Sequence, residues 1–164
     1  MPIRHAVAAD LPAVVEIYNA SIPGRMATAD TAPVTVAQRD EWYRAFDPAS
    51  RPLWVMDADG GIAGWLGLRS FYGRPAYHRT VESAVYVSPG FRRRGIARVL
   101  LAHALDAAPA LGIATVLGFV FAHNQPSIAL FEQHGFARWG LLPRVCELDG
   151  AEKDVLILGR RLHG

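Results

Sequence analysis

Apolar positions along the chain switch between a strand-like and a helix-like period, and each switch marks an element. Ile3 to Val7 reads as a first strand. Asp10 follows as a helix N-cap, with Leu11, Val14, Val15 and Tyr18 at i, i+3, i+4 and i+7 on one buried stripe. Ser21 to Pro33 contains Pro23, Gly24 and Pro33 and reads as an irregular connection. Thr35 and Gln38 form a capping-box pattern that opens a second helix reaching about Phe46, and Pro48 and Pro52 end it. Leu53 to Met56 and Ile62 to Phe71 read as antiparallel strands around a turn at Asp57-Ala58-Asp59-Gly60-Gly61. Gly64 and Gly67 within the second of these point to bulges or close packing.

After a loop from Tyr72 to Pro75, the β-branched run Thr80 to Val87 reads as a central strand that Ser88-Pro89-Gly90 stops. Ile96 to Ala108 is a strongly amphipathic helix, and Thr115 to Phe121 is a buried strand. Pro126 fits the first turn of a short helix through Gln133, and Gly135 stands where a C′ glycine belongs. Phe136 to Leu142 and Asp154 to Arg161 read as closing strands around a turn at Asp149-Gly150. The order β-α-α-β-β-β-α-β-α-β-β combines antiparallel hairpins with one strand–helix–strand crossover, so the expected class is α+β (mixed α/β).

Length and composition narrow the function classes. At 164 residues, residues 1–164 are expected to form one domain burying roughly two-thirds of its unfolded surface. A 51% hydrophobic content excludes disorder over most of the chain. The one cysteine, Cys146, allows neither an internal disulfide nor a multi-cysteine zinc site, and it reads as inert packing. The N-terminus lacks the apolar core of a signal peptide, and the nearly apolar run Ile113 to Ala122 is too short to span a bilayer, so a cytoplasmic protein is expected. The chain is basic, with a pI of about 9.0. Lys153 is the only lysine beside sixteen arginines. Most of these read as composition bias, and position has to single out the exceptions.

One segment does so. In Val85-Tyr86-Val87-Ser88-Pro89-Gly90-Phe91-Arg92-Arg93-Arg94-Gly95-Ile96-Ala97 a buried strand ends, a short loop holds three arginines and a glycine, and a long helix begins. Loop N–H groups, the helix N-terminus and arginine charge together suit an anion. Gly95 and Ala97 keep side chains away from it. The residues alone leave three readings open: a solvated turn, a contact for nucleic-acid phosphates, or a site for a phosphorylated small molecule. Neither a Walker A loop nor a Rossmann glycine pattern is present.

Arg92-Arg93-Arg94-Gly95-Ile96-Ala97 resembles the Q/R-x-x-G-x-G/A motif of the GNAT superfamily of N-acetyltransferases, and Val85 to Pro89 looks like that family's fourth strand. Asn124 through Phe136, read as N-x-x-S-x-x-L-F-E-x-x-G-F, looks like its second cofactor segment. Ile17-Tyr18-Asn19, Thr31 to Val34 and Arg74 to Val87 are similar to the phosphinothricin and methionine sulfoximine acetyltransferase branch, and this likeness runs over nearly the whole chain.

The resemblance implies a GNAT-type fold, with a central, mostly antiparallel twisted sheet flanked by helices and acetyl-CoA in a cleft between the fourth and fifth strands. It implies transfer of an acetyl group to the primary amine of a small amino acid or analogue, by direct attack through a tetrahedral intermediate. Acetyl-CoA would pair with Val85, Tyr86 and Val87. Its pyrophosphate would sit on Arg92, Arg93, Arg94, Gly95, Ile96 and Ala97, and Asn124 and Ser127 would touch its pantetheine arm. The Val87 N–H would stabilise the oxyanion and Glu82 would be the base. Arg74, Tyr77 and Tyr18 would bind the acceptor. A homodimer is implied, with no metal, nucleic acid or membrane as partner.

Two positions depart from the family pattern. Phe131 stands where many relatives carry a Tyr or His that protonates the leaving thiolate. His134, three residues on, is either its substitute or a partner of the helix C-terminus. Glu152 replaces the tryptophan usual in the branch near the C-terminus. Other acceptors (a polyamine, an aminoglycoside, a peptide N-terminus) and a non-catalytic acyl-CoA-binding module remain as alternatives.

Overall fold

The computed structural model describes residues 1–162. Seven strands form one sheet: β1 (Ile3–His5), β2 (Leu53–Ala58), β3 (Gly61–Ser70), β4 (Thr80–Val87), β5 (Thr115–Phe121), β6 (Ala137–Leu148) and β7 (Ala151–Arg161). Their order is β1-β2-β3-β4-β5-β7-β6. All neighbours run antiparallel except β4 and β5, which are parallel and joined through α3 (Ile96–Ala107). The mixed sheet with flanking helices matches the expected class.

The sheet's two faces bury separate cores. On one side α3 and α4 (Gln125–Gln133) cover Leu66, Leu68, Val81, Val116 and Val120. On the other, α1 (Leu11–Ala20) and α2 (Val36–Arg44) lie over Val55 and Trp65, and the Trp65 indole N–H donates to Val14 O at 3.1 Å. Strand alternation sends neighbouring residues of β4 to opposite faces. Val81, Val85 and Val87 join the first core, while Ala84 and Tyr86 join the second.

Several expected boundaries move, each for a local reason. The first strand ends at His5 rather than Val7, because Asp10 Oδ2 accepts the Val7 N–H at 2.7 Å and turns the chain. Asp10 therefore does not cap the first turn of α1. Its carboxylate also receives two bonds from the Arg4 guanidinium, at 2.7 and 2.9 Å. The capping box at Thr35 and Gln38 forms in both directions, but α2 ends at Arg44, before Phe46. Gly67 serves close packing, since a Cβ there would lie 2.8 Å from the Phe46 ring; the bulge falls in β3 beside Gly64, where Ala63 is the extra residue opposite Met56 and Asp57. The last hairpin is longer than the sequence suggests. Pro143 falls within the irregular stretch between Leu142 and Cys146, where Asp154 Oδ1 accepts the Arg144 N–H at 2.8 Å, and the ladder then resumes to the turn at Asp149-Gly150.

Arg4 joins β1 to the turn before α1 and to β2 by forking onto Asp10 and Asp57. That bonding holds the Asp10 carboxyl below its ordinary range. A depressed folded-state value stabilises the fold above the unfolded value of ~3.9, and the contribution is lost as pH falls through the folded one. Asp10→Asn should therefore lower stability by about 1–3 kcal/mol at neutral pH. In urea titrations, the gap from the parent chain should close as pH is taken below ~4.

Candidate active site

β4 and β5 pair only from Thr80↔Thr115 to Glu82↔Leu117, and then separate. At the fork the buried Ser83 hydroxyl donates to Leu117 O at 3.1 Å. Beyond it the direction of each backbone group follows from alternation. In an antiparallel strand, both polar groups of every second residue face the same neighbour. Ser88 N–H donates to Ala63 O at 2.8 Å and Phe71 N–H to Thr80 O at 3.4 Å, so Tyr86 and Ala84 bond to β3. Val85 and Val87 face the other way, into the gap that β5 has left. They present an unpaired strand edge to whatever enters it.

The gap is a cleft of about 360 Å³, walled by Glu82 to Tyr86 of β4 and Phe119 to Phe121 of β5. Asn124, Ser127 and Phe131 close its α4 side, Met26 to Ala29 its α1–α2 side, and Cys146 and Val155 the far side. Glu82, Val85, Tyr86, Asn124 and Ser127 are thus brought to one cavity, while Val87 stands one residue past its wall. Arg74, Tyr77 and Tyr18 are not in the wall. Arg74 and Tyr77 lie on the exposed loop between β3 and β4, where Tyr77 meets the rings of Phe71 and Tyr72. Tyr18 is buried one layer back, with its ring edge-on to Tyr86 at 5.1 Å and its hydroxyl bonded to Thr28 and Asp30.

At the outer end of β4, Arg93 and Gly95 both adopt left-handed conformations, with φ of +63° and +73°. Left-handed residues alternating with extended or helical ones turn successive N–H groups toward one point. Gly95 is the N-cap of α3 and no side chain caps that helix, so its first N–H groups stay open. A Cβ at residue 95 would be strained there, which favours glycine. The Arg94 guanidinium lies 5.2 Å from the Phe91 ring centre, while Arg92, Arg93 and Arg94 are all exposed. The strand edge and the N–H cluster suit a long ligand with an extended amide arm and a phosphate group. Among the described residues no cluster of His, Cys, Asp or Glu could hold a metal.

Glu82 is the one charged residue of the wall. Burial pushes its carboxyl up, and Arg69 opposes the shift. Burial likewise raises Tyr86, whose hydroxyl donates to Ala27 O at 3.2 Å. Phe131 is buried, and a Cβ on Gly118 would come within 3.0 Å of its ring. His134 does not reach the cleft wall. Its Nδ1 bonds Leu130 O at 2.8 Å, which makes it a partner of the helix C-terminus.

Met26 to Ala29 of the irregular Pro23–Pro33 loop, whose conformation the sequence leaves unread, wall the cleft, and so does Cys146, which the sequence assigns to inert packing. Neither has a local signal. Asn124 holds the segment: its Oδ1 accepts the Ser127 N–H at 3.2 Å, capping α4, while its Nδ2 donates to Met26 O at 2.9 Å and Ser127 Oγ at 3.0 Å. His123 Nε2 bonds Arg25 O at 2.9 Å. Three consecutive carbonyls, of Arg25, Met26 and Ala27, are therefore each held by a different side chain.

Residues 12–136 match the model of the acetyltransferase (GNAT) family. The chain is 49% identical over 163 residues to the Bacillus subtilis protein named "Putative phosphinothricin acetyltransferase YwnH", covering 99% of both. It is 30% identical over 157 residues to an L-methionine sulfoximine/L-methionine sulfone acetyltransferase of Pseudomonas paraeruginosa, covering 95% of this chain and 91% of the other. The crystal structure of a phosphinothricin acetyltransferase from Sinorhizobium meliloti in complex with AcCoA superposes with a TM-score of 0.91 at 30% identity, over 98% and 87% of the two chains.

Asn124→Ala should cost about 0.5–2 kcal/mol through loss of the α4 cap alone. Asn124→Asp keeps the acceptor for Ser127 N–H but loses the donor to Met26 O. Thermal melts should separate the two variants, with the Asp form closer to the parent. Limited proteolysis should cut both more readily at residues 22–34.

Proposed function

The chain belongs to the GNAT acetyltransferase family and is an N-acetyltransferase, and on that premise we propose that it transfers the acetyl group of acetyl-CoA to the primary amine of a small amino acid or analogue of the phosphinothricin or methionine sulfoximine type. The observation that carries this reading is the forked β4–β5 edge, which has a half-buried carboxylate at its inner end and an N–H cluster at its outer end. The named acceptors of the relatives support the amino-acid class, and the AcCoA complex of the Sinorhizobium meliloti relative supports the donor.

Acetyl-CoA, when bound, supplies a thioester carbonyl carbon open to attack by the amine. Val85 and Val87 offer the strand edge that holds its amide arm, and the N–H groups of Arg92 to Ala97 receive its pyrophosphate. Tyr86, between them, contributes the wall. Asn124 acts by fixing α4 and Met26, so that Ser127 faces the arm. Glu82 takes a proton from the acceptor amine, directly or through one water, because only the neutral amine is nucleophilic. The Val87 N–H donates to the oxygen that gains charge during attack, a kind of contact worth roughly 2.7–4 kcal/mol in other enzymes. Phe131 supplies no proton, so the thiolate leaves unassisted, as a thiol of pKa ~8.5 allows. Tyr18 braces Tyr86 from behind, and Arg74 and Tyr77 flank the acceptor from the loop before β4.

We assign residues 1–164 to one catalytic domain working in the cytoplasm on small molecules, without nucleic acid, membrane or metal. Among the described residues no helix is long and apolar enough to cross a membrane. The arginine triplet gathers at one strand–helix junction, where it serves the pyrophosphate. A homodimer is supported by edge strand β6, which exposes Trp139, Leu141, Leu142 and Val145.

With acetyl-CoA and a panel of amines, thiol release should be fastest for amino-acid acceptors. No release with any amine, despite acetyl-CoA binding, would overturn catalysis by this site. Glu82→Gln should lower kcat by roughly 10²–10⁴-fold and leave acetyl-CoA affinity unchanged. The rate of the parent enzyme should fall on acidification with a midpoint above the ~4.3 of a free glutamate, since burial raises Glu82. The Gln variant should lack that limb. Light scattering should give twice the chain mass, reduced to one chain by Leu141→Lys.

A further inference from the structure

An amino-acid acceptor carries a carboxylate beside its amine. The cleft wall contains no arginine or lysine, and its one charged residue, Glu82, repels an anion. A cation is needed close to Glu82 and on the same face of the sheet. The β3–β4 register supplies it, because Arg69 stands directly opposite Glu82. Side chains of such a pair leave the same face with Cβ atoms about 4.5–5.5 Å apart.

Three observations set Arg69 apart from the other arginines nearby. The Phe46 ring, just past the end of α2, lies on Gly67 two residues earlier, and Arg69 beyond it is exposed. Arg51 is committed to Ser70 Oγ and His78 O, and Arg79 to Gly112 O. Among the described residues the Arg69 side chain makes neither an ion pair nor a hydrogen bond, even with Glu82 across the ladder. A cation and a carboxylate thus stand side by side without closing on each other. A small zwitterion can enter between them, amine toward Glu82 and carboxylate toward Arg69.

We propose that Arg69 receives the acidic group of the acceptor, so that the Arg69–Glu82 pair recognises an amine and a carboxylate carried on one small molecule. The assignment rests on the amino-acid reading above and sharpens it. Arg69 is better placed than Arg74 for this role, because it stands opposite Glu82 on a paired strand, whereas Arg74 precedes the exposed 3-10 turn Pro75–Tyr77. A guanidinium also offers the planar fork that a carboxylate accepts with two bonds.

The test compares two acceptors, L-methionine sulfone and its α-carboxamide, on the parent chain and on Arg69→Gln, with acetyl-CoA affinity as the check on folding. Arg69→Gln should raise KM for the acid by roughly 10–100-fold, with kcat changed by less than about threefold and the amide unaffected. Arg69→Lys should recover part of the loss. Equal effects on acid and amide, or no effect on the acid, would overturn the role of Arg69. So would an acid-selective loss found in Arg74→Gln but absent from Arg69→Gln. A parent chain that acetylates the amide and not the acid would instead overturn the amino-acid reading itself, and with it this assignment.

Discussion

The parting of β4 from β5 is the constraint on which the rest of the molecule depends. A sheet normally pairs every backbone N–H and C=O of its inner strands, and leaving such groups without partners in a buried place is costly. Here parallel pairing lasts for three residues and then stops in the middle of the sheet. Ser83 covers one carbonyl at the fork. The groups beyond it, on Val85 and Val87, face the cleft that opens where the pairing stops. The crossover through α3 places the uncapped N-terminus of a helix at the open end of the same fork. One departure from regular pairing thus sets a free strand edge beside an uncapped helix start.

The cleft would be shapeless without the segment that closes its second side. The connection between α1 and α2 spans residues 21–35 with no regular strand or long helix of its own. Its order comes from outside. Side chains of His123, Asn124 and Tyr86 hold three successive carbonyls, Asn19 exchanges two bonds with the backbone of Val34, and Arg25 pairs with Asp149 at 3.0 Å. These anchors lie far apart in sequence and converge only after the sheet has formed. Bonds made by buried side chains offset the entropy of fixing such a segment better than exposed ion pairs do.

The arginines divide by what they touch. Arg4, Arg51, Arg79 and Arg160 are tied to carboxylates or carbonyls and act as braces between elements. Among the described residues Arg69, Arg74, Arg92 and Arg93 carry no such bonds; Arg69 stands opposite Glu82 on the ladder, and Arg92 and Arg93 lie exposed past the end of β4. The positive charge of the chain is therefore partly bound up in bracing the fold and partly left exposed. Glu82, half-buried at the inner end of the cleft, is the one charged residue of its wall.

The sequence by itself determined the element order, the crossover at Val85 to Ala97 and the glycine-led helix start at that junction. Those features are written in contiguous residues: a β-branched run, a proline stop, a glycine at a helix start. It also marked Glu82, because a carboxylate in an apolar strand calls for a partner or a task. It could not show that Met26 to Ala29 and Cys146 wall the cleft, that Asn124 is occupied with its own helix cap and a distant carbonyl, or that Arg69 stands opposite Glu82. Strand register and the placement of irregular chain follow from contacts between residues tens of positions apart, and no local period records them. Only the assembled sheet, by fixing which side of β4 each group faces, decided those positions.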